Sequence, residues 1–429
     1  MKFKCENIGK VSFADIELSK ISVIAGLNNT GKSTIGKAFY CMFNGFSDIE
    51  NEIKRNLKNS LFKQVSTIWE PDFESEEQAS SIGEQLSKCT KELLAKRKTD
   101  VELSYVKEVV SQCFSEELLK KTTDEFYNKI LDVLKISDET LKMMIVQRMY
   151  NQEFKEQLQN VFLLDHDKSS VSLTIKGALT KVNIQQNKIT AIENAINIKA
   201  KAFYIDNPFA IDSISSPPLL SFWGVGVRNS HQRTLLDAVR PHGQEQQSVV
   251  DEFLTDEKIK NIESKLSSVS NGSLVLNDKR SVVYRLSDKN VDLSLSNISA
   301  GLKTFVIIKA LLKNGALKEN GVLILDEPEI HLHPEWQKLF AEIIVLIQKT
   351  FNMHILISSH SPYFINALDV YERKYDIIEG CRFYLTIPDG EAYKVENVSK
   401  NLEPIYKLLF EPMQALENER ASLYREEII

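Results

Sequence analysis

The residues with the clearest chemistry lie between positions 26 and 34, where the sequence is GLNNTGKST. This stretch matches G-x-x-x-x-G-K-[ST], a pattern whose glycines let backbone N–H groups fold around phosphates. The residues assigned to this phosphate loop are Gly26, Asn28, Asn29, Thr30, Gly31, Lys32, Ser33 and Thr34. The lysine of such a loop reaches the β- and γ-phosphates, and the hydroxyl after it ligates Mg²⁺. The spacing therefore predicts a site for ATP and Mg²⁺ centred on Lys32 and Ser33.

Two adjacent carboxylates are the candidates for the second half of this site. Asp326 and Glu327 follow the apolar run 321–325, which places them at the carboxyl end of a predicted strand. There Asp326 would hold Mg²⁺ through water, and Glu327 would polarise the attacking water. His360 ends a third apolar run and is predicted to hydrogen-bond the γ-phosphate. A solvated turn and an ordinary strand-end histidine are the alternatives, and the phosphate loop disfavours both.

The elements that must position these residues are also visible in the sequence. An apolar run at 21–25 leads into the phosphate loop, and an amphipathic helix follows it. Three further apolar runs, 202–205, 322–325 and 355–357, have the composition of buried central strands. The fold class predicted is α/β.

A long helical insertion is predicted to interrupt this α/β body. Between Gly83 and Gly177 there is neither Gly nor Pro, the two residues that helices exclude most strongly, and apolar residues recur at helical spacing. We therefore expect an N-terminal part of the ATPase head at 1–45, a helical insertion or short arm at 46–165, and the rest of the head at 166–429. A hairpin turn is predicted at 388–390, with helical sequence from residue 402 onward.

Composition excludes several other classes of protein. The 429 residues include 53 basic and 59 acidic side chains, and the resulting charge of −6 argues against a general nucleic-acid coat or a polybasic membrane anchor. No stretch approaches the ~18 apolar residues of a membrane span, and the five cysteines include no C-x-x-C pair. We expect a cytoplasmic globular protein with no membrane partner.

A second anion site is indicated at residues 299–303, where a Ser and a Gly precede an amphipathic helix. A hydroxyl and backbone N–H groups at a helix N-terminus attract negative charge, although the same pattern also forms an ordinary helix cap. His331 and His333 are spaced as a metal pair on a strand would be, but no further ligand converges on them in the sequence.

Four elements, the phosphate loop, the segment 299–303, the carboxylate pair and His360, follow one another in this order. Together they resemble the ATP-binding-cassette (ABC) ATPases, in the branch that contains the SMC, Rad50 and OLD-type (AAA15-type) proteins. The strings DEPEIHLHP at 326–334 and SHSP at 359–362 are most similar to OLD-like ATPases of anti-phage defence systems, among them Septu, PARIS and retron-linked modules. The resemblance covers roughly 1–45 and 166–429. It implies an ABC/SMC-like P-loop ATPase head with a mixed sheet and flanking helices.

The resemblance also implies roles for residues outside the phosphate loop. Ser299, Ala300 and Gly301 would be the signature motif, which binds the γ-phosphate of ATP held by the other subunit. Glu329, His331 and His333 would belong to the D-loop at the dimer seam. The signature departs from the S-G-G-Q of transporters, and the Q-loop is either the segment after 204–206 or Gln64.

The functional hypothesis that follows is an ATP-dependent switch in an anti-phage defence complex. Its expected partners are a second copy in a head-to-head dimer or larger oligomer, a separate effector such as a nuclease, and a phage-encoded trigger. No room for a metal-dependent nuclease domain is expected in the 69 residues after His360. The alternative is an SMC/RecF-like DNA repair or recombination ATPase that clamps duplex DNA.

DNA contact has one candidate surface in the sequence. A modest basic cluster comprises Arg228, His231, Arg233, Arg240 and His242. It would contact DNA phosphates or a partner, but a solvated helix face is favoured.

Overall fold

The computed structural model describes residues 1–69, 76–95, 97, 101–120, 122–160, 162, 168–215, 230–241, 259–289 and 291–426. The chain divides into two compact units, one formed by residues 1–47 and 147–429 and the other by residues 48–146. The helical unit therefore ends earlier than the expected insertion, since residues 147–165 belong to the first unit. None of the helices in the described ranges combines the length and hydropathy needed to cross a lipid bilayer.

The first unit is built on a mixed β-sheet, which within the described residues has eleven strands in the order β6-β5-β4-β1-β2-β14-β13-β3-β12-β11-β7. A separate small sheet has the order β10-β9-β8. The strands are Lys2–Ile8 (β1), Val11–Glu17 (β2), Ile21–Ala25 (β3), Ser169–Ile175 (β4), Ala178–Gln185 (β5), Lys188–Glu193 (β6), Ala202–Ile205 (β7), Gly272–Leu276 (β8), Val282–Leu286 (β9), Asp292–Leu293 (β10), Val322–Asp326 (β11), His354–Ser359 (β12), Arg382–Asp389 (β13) and Ala392–Asn397 (β14).

Five neighbouring strands, β13-β3-β12-β11-β7, run parallel, so their carboxyl ends lie on the same side of the sheet. The loops that follow β3, β11 and β12 and carry the predicted site residues therefore lie together at the carboxyl ends of these strands. The three apolar runs predicted as buried strands are confirmed as β7, β11 and β12, and the expected hairpin is confirmed as β13 and β14. Parallel strands are covered on both faces, which is why these runs are continuously apolar instead of alternating.

Within the described residues, helices flank the sheet in the first unit and make up the second unit. In the second unit, the helix Ile49–Ser66 buries an apolar stripe at intervals of four residues. The helices are Lys32–Asn44 (α1), Ile49–Ser66 (α2), Glu76–Ala95 (α3), Leu103–Cys113 (α4), Glu116–Leu119 (α5), Asp124–Lys135 (α6), Asp138–Phe154 (α7), Ser230–Val239 (α8), Ala300–Lys313 (α9), Pro334–Phe351 (α10), Pro362–Lys374 (α11) and Glu403–Glu426 (α12). Residues 259–267 are also helical.

The two faces of the central sheet carry different helices. On one face Leu323 of β11 packs in a core with Phe305 of α9 and Phe340 of α10. The next residue, Ile324, points to the other face, where its methyl group lies 3.4 Å from the place a Cβ would take at Gly36 of α1. Because successive strand residues point to opposite faces, α1 lies on one side of the sheet and α9 and α10 on the other.

Candidate active site

The phosphate loop joins β3 to α1 and has a backbone that glycine alone fits at two positions. Gly26 and Gly31 have φ values of 157° and 90°, in a region that L side chains rarely adopt. A Cβ at Gly26 would lie 1.8 Å from Oγ1 of Thr386, and one at Gly31 would lie 2.6 Å from a methyl group of Val11. The loop is therefore pressed against neighbouring strands. This close backbone curl at a helix N-terminus fits a phosphate group.

Lys32 is buried inside this loop and is directed at oxygen atoms. Its Nζ donates to the carbonyls of Gly26 at 2.9 Å and Leu27 at 2.8 Å, and lies 3.2 Å from Oε1 of Glu327. Only 3% of the lysine side chain is exposed. A phosphate oxygen entering the loop would compete directly with Glu327 for this ammonium group.

Asp326 is held in one orientation by two hydroxyl groups. Its Oδ2 accepts a hydrogen bond of 2.8 Å from Tyr204, and its Oδ1 accepts one from Ser358. Oxygen ligands of this kind suit Mg²⁺, so the hydroxyl of Ser33 and, through water, the carboxylate of Asp326 would hold the ion. There Mg²⁺ would neutralise charge that develops on the phosphate oxygens.

Glu327 lies between Lys32 and His360. Its Oε2 is 3.2 Å from Nδ1 of His360, while its backbone N–H donates to the carbonyl of Ser358 at 2.9 Å. Its φ is 48°, a left-handed value that is unfavourable for a side chain of this length. Such strain is typical of functional positions. The carboxylate of Glu327 faces Lys32 of the phosphate loop.

Glu329 connects the loop after β11 to the loop after β12. Its buried Oε1 accepts hydrogen bonds from the hydroxyl of Ser359 at 2.5 Å and from the backbone N–H groups of His360 and Ser361 at 3.2 and 3.3 Å. Burial raises the pKa of this carboxyl above its usual value. Of the three expected D-loop residues, Glu329 is therefore enclosed, whereas His331 and His333 are exposed.

The expected signature residues begin α9. The side chain of Ser299 caps the helix by accepting from the backbone N–H of Leu302 at 3.3 Å. Gly301 is required here because a Cβ would lie 2.7 Å from the carbonyl of His331. Ala300 lies between them and is half-buried. The start of α9 thus packs on the loop that carries His331.

The two histidines of that loop, His331 and His333, contact an aromatic ring and a helix N-terminus, respectively. The ring of His331 lies edge-on to Phe209, with 5.5 Å between the ring centres. His333 caps α10 by accepting from the backbone N–H of Glu335 at 3.4 Å. Over the described ranges, no group of three His, Cys, Asp or Glu side chains is placed to hold a metal ion.

A cavity of about 350 Å³ lies beside the carboxylates, on the side that faces α9. Asp206 and Asn207, which follow β7, line it together with Asp326 and Glu327. The segment after residues 204–206, one of the two expected Q-loops, therefore borders the candidate site. The other, Gln64, lies in α2 of the helical unit.

The sequence predicts that the basic cluster lies on a solvated helix face, and this holds for only part of it. Arg228 and His242 lie outside the described residues. Arg233 is exposed, but His231 is fully buried, so the expectation of a solvated histidine is wrong. A signal for this was present, because His231 precedes the apolar residues 235 and 239 at intervals of four, on one face of α8.

Thr386 of β13 is a site residue that the motifs do not indicate. Its buried hydroxyl donates to Oγ1 of Thr30 at 2.9 Å, and Thr30 in turn donates to the carbonyl of Leu27 at 2.8 Å. That carbonyl is one of the acceptors of Lys32. No local pattern marks this threonine, since only the pairing of β13 with β3 brings it to the loop.

Comparison with known proteins places this chain in a family. A family model described as the AAA ATPase domain matches residues 1–365. The chain is 32% identical over 120 residues to the "Retron Ec83 probable ATPase" of Escherichia coli, which covers 25% of this chain and 22% of that protein. It is 30% identical over 100 residues to the "Septu protein PtuA" of Bacillus thuringiensis, covering 20% and 24% of the two chains.

Both of these matches are local, since the chain matches less than a quarter of the length of either relative. Among solved structures, the SMC head domain from Thermotoga maritima is similar at 10% identity and a TM-score of 0.38, covering 92% of this chain and 98% of that one.

Proposed function

Because the chain belongs to the AAA ATPase domain family, we propose that it binds and hydrolyses ATP as the switch subunit of an anti-phage defence complex. The observation that carries the ATPase part is the convergence of Lys32, Glu327 and His360, which come from three parallel strands. Oε1 of Glu327 lies 3.2 Å from Nζ of Lys32, and Oε2 lies 3.2 Å from Nδ1 of His360. An ATP-hydrolysing site needs this combination of phosphate ligand, base and polar partner.

ATP binding would redistribute these contacts. Lys32 would move its charge from Glu327 to the phosphates, and Glu327 would then be free to accept a proton from the attacking water. His360 would contact the γ-phosphate from the same edge. Through Glu329, which bonds the backbone of His360, this movement would also reach the loop that carries His331.

A second copy of the chain is proposed to complete the site. The signature helix α9 and the phosphate-loop helix α1 lie on opposite faces of one sheet, so Ser299 is best placed to act on a neighbour's ATP. Three exposed apolar side chains near the site support a closing face. Leu27 and Ile330, on site loops, are 47% and 56% exposed, and Tyr363, in the first turn of α11, is 45% exposed. Exposed apolar groups close to a site are typical of interfaces.

The defence role is proposed from the names of the relatives. Proteins called a retron ATPase and a Septu protein share local sequence with this chain. We propose that the nucleotide state controls a separate effector, a nuclease, and that a phage product triggers the change. ATP can shift such a switch only by its preference for one of the two states.

The test of the ATPase function uses Lys32→Ala and Glu327→Gln. We expect Lys32→Ala to lose ATP binding in calorimetry. Glu327→Gln should retain ATP and hydrolyse it about 10²- to 10⁴-fold more slowly, as expected when a general base is removed. Lys338→Ala and Glu335→Gln, exposed positions on α10, are the matched controls. Wild-type turnover in Glu327→Gln would show that another residue handles the water.

Two further experiments test the dimer and the effector. Light scattering of Glu327→Gln should give twice the monomer mass with ATP and the monomer mass with ADP, and Ile330→Asp should prevent the change. Purification together with the neighbouring gene product tests the partner. If ATP leaves the mass unchanged, or no partner is retained in either nucleotide state, the corresponding part of the proposal is wrong.

A further inference from the structure

A buried ion-pair cluster lies at the end of β7, outside every motif of the site. Nδ1 of His231 is 2.6 Å from Oε2 of Glu153, and Nε2 is 3.1 Å from Oδ2 of Asp206. The backbone N–H of His231 also donates to Oε1 of Glu153 at 2.9 Å. The side chains of His231 and Glu153 are fully buried, whereas 24% of the Asp206 side chain is exposed. Of these three residues, Asp206 is the one that reaches the cavity.

The surroundings of His231 favour the charged form of the ring. Nδ1 is hydrogen-bonded to Glu153, and Nε2 lies 3.1 Å from an oxygen of Asp206 without a regular hydrogen bond. Two carboxylates this close attract the imidazolium form, which has a proton on each nitrogen. Burial lowers the pKa of His231, but attraction to the carboxylates of Asp206 and Glu153 outweighs burial and raises that pKa to about 9. The aromatic rings of Tyr40 and Tyr204 also pack on the His231 ring.

Such a cluster is an expensive way to stabilise a fold. Removing charges from water costs several kcal/mol per ion, and apolar residues of similar volume often stabilise as much or more. The two carboxylates and one imidazolium also carry a net negative charge beside Asp326 and Glu327. Stability alone therefore does not explain why these three groups are placed here.

The cluster is connected to the magnesium carboxylate in two ways. In the parallel pairing of β7 and β11, Ile205 is opposite Leu325, so Asp206 lies next to Asp326 at the edge of the sheet. The ring of Tyr204 packs on that of His231, with 4.7 Å between the ring centres, and its hydroxyl donates to Asp326 at 2.8 Å. A shift of His231 would thus move Asp206 and Tyr204, two of the residues next to Asp326.

We infer that Glu153, His231 and Asp206 are positioning residues for ATP hydrolysis, which fix the end of β7 and, through Tyr204, the orientation of Asp326. This inference rests on the ATPase function proposed above. In this arrangement Glu153 anchors the histidine, the histidine anchors Asp206, and Tyr204 transmits the position of the ring to the carboxylate. None of the three cluster residues needs to touch the nucleotide.

The test removes one charge at a time and keeps an oxygen acceptor in place. In Glu153→Gln and Asp206→Asn we expect kcat to fall by about 10- to 100-fold, as is usual when a group that orients a metal ligand is changed. The dissociation constant for ATP should stay near the wild-type value. Glu342→Gln is the control, because it alters a buried carboxylate on α10 that also accepts from two cations.

Assays are run below the melting temperature of the least stable variant, so that all chains are folded. If the control loses thermal stability and keeps its kcat while the two cluster variants lose kcat, the inference holds. If the cluster variants also keep kcat, the cluster is purely structural and the inference is wrong.

A double variant tests the route through Tyr204. Tyr204→Phe should lower kcat, and the double variant with Asp206→Asn should lose less than the product of the two single losses, because both act on one carboxylate. Losses that multiply would contradict a shared route. A wild-type protein that does not hydrolyse ATP would instead overturn the proposed function itself, which keeps the two failures distinct.

Discussion

Two buried charge clusters in the first unit have opposite composition. The cluster around His231 places one cation between two carboxylates, whereas Glu342 is one carboxylate between two cations. Glu342 accepts from Lys265 and Lys374 at 2.8 Å each, and from the hydroxyl of Tyr375 at 2.6 Å. In both clusters the central ion is almost completely removed from water.

The clusters differ in what they connect. Glu342 joins α10 to the helical residues 259–267 and to the last turn of α11. Because α11 begins two residues after His360, its length of about 18 Å separates this cluster from the candidate site. The cluster around His231 lies at that site and contacts Tyr204. Burial of charge alone is therefore no indication of a catalytic role, and the link to Asp326 is what distinguishes the two.

The largest expected effect comes from replacing the central ion with leucine. His231→Leu leaves the buried carboxylate of Glu153 and the partly exposed carboxylate of Asp206 without their cation, and should lower the free energy of unfolding by about 3–5 kcal/mol. Glu342→Leu should cost less, about 1–3 kcal/mol, because 54% of the Lys374 side chain is already exposed. Urea unfolding of both variants measures the difference. Equal losses would show that the accessibility of the remaining partners does not matter.

The pH dependence of these losses should separate the clusters further. The pKa of His231 is raised to about 9, so its contribution is complete below about 6.5 and is lost as the pH rises toward 9. Burial raises the pKa of Glu342, but its lysine partners outweigh burial and lower that pKa to about 2. Its contribution is complete above about 4.5 and is lost as the pH falls toward 2.

The free energy of unfolding, measured as a function of pH, should therefore change in opposite directions for the two clusters. The deficit of His231→Leu relative to wild type should shrink on the alkaline side, and that of Glu342→Leu on the acid side. A deficit of His231→Leu that is constant from pH 6 to pH 9 would contradict a charged histidine.

The smallest expected effect is that of Tyr375→Phe, which removes one hydrogen bond to Glu342. The two lysines continue to satisfy the carboxylate, so the free energy of unfolding should fall by about 1 kcal/mol. ATP turnover should be unchanged, in contrast to Tyr204→Phe at the other cluster. A loss of turnover in Tyr375→Phe would remove the distinction between the two regions.

The phosphate loop and the central strands could be predicted because their signals are local. Residues 26–34 carry their spacing within nine positions, and β7, β11 and β12 are continuous apolar runs. The family suggested by these motifs is confirmed. The parallel order of the strands then brings Asp326, Glu327 and His360 to one edge, although they are separated in the sequence.

Other features could not be predicted because their partners are distant in the sequence. Glu153 and His231 are 78 positions apart, and Thr386 is 356 positions from Thr30. Strands β5 and β6 lie at the edge of the sheet and are half-exposed, so they lack the continuous apolar pattern of the central strands. In the sequence, isolated charged residues such as Glu153 and His231 resemble surface residues, because the partner of opposite charge is brought close only by the fold.

The position of the hairpin β13–β14 has a consequence for how this protein can be shortened. These strands lie between β2 and β3, and they follow the last residue matched by the family model. A fragment that stops at residue 365 would keep every nucleotide motif yet cut the sheet in two, leaving β2 and β3 with unpaired edges prone to aggregation. The smallest soluble ATPase fragment should therefore extend at least to Asn397.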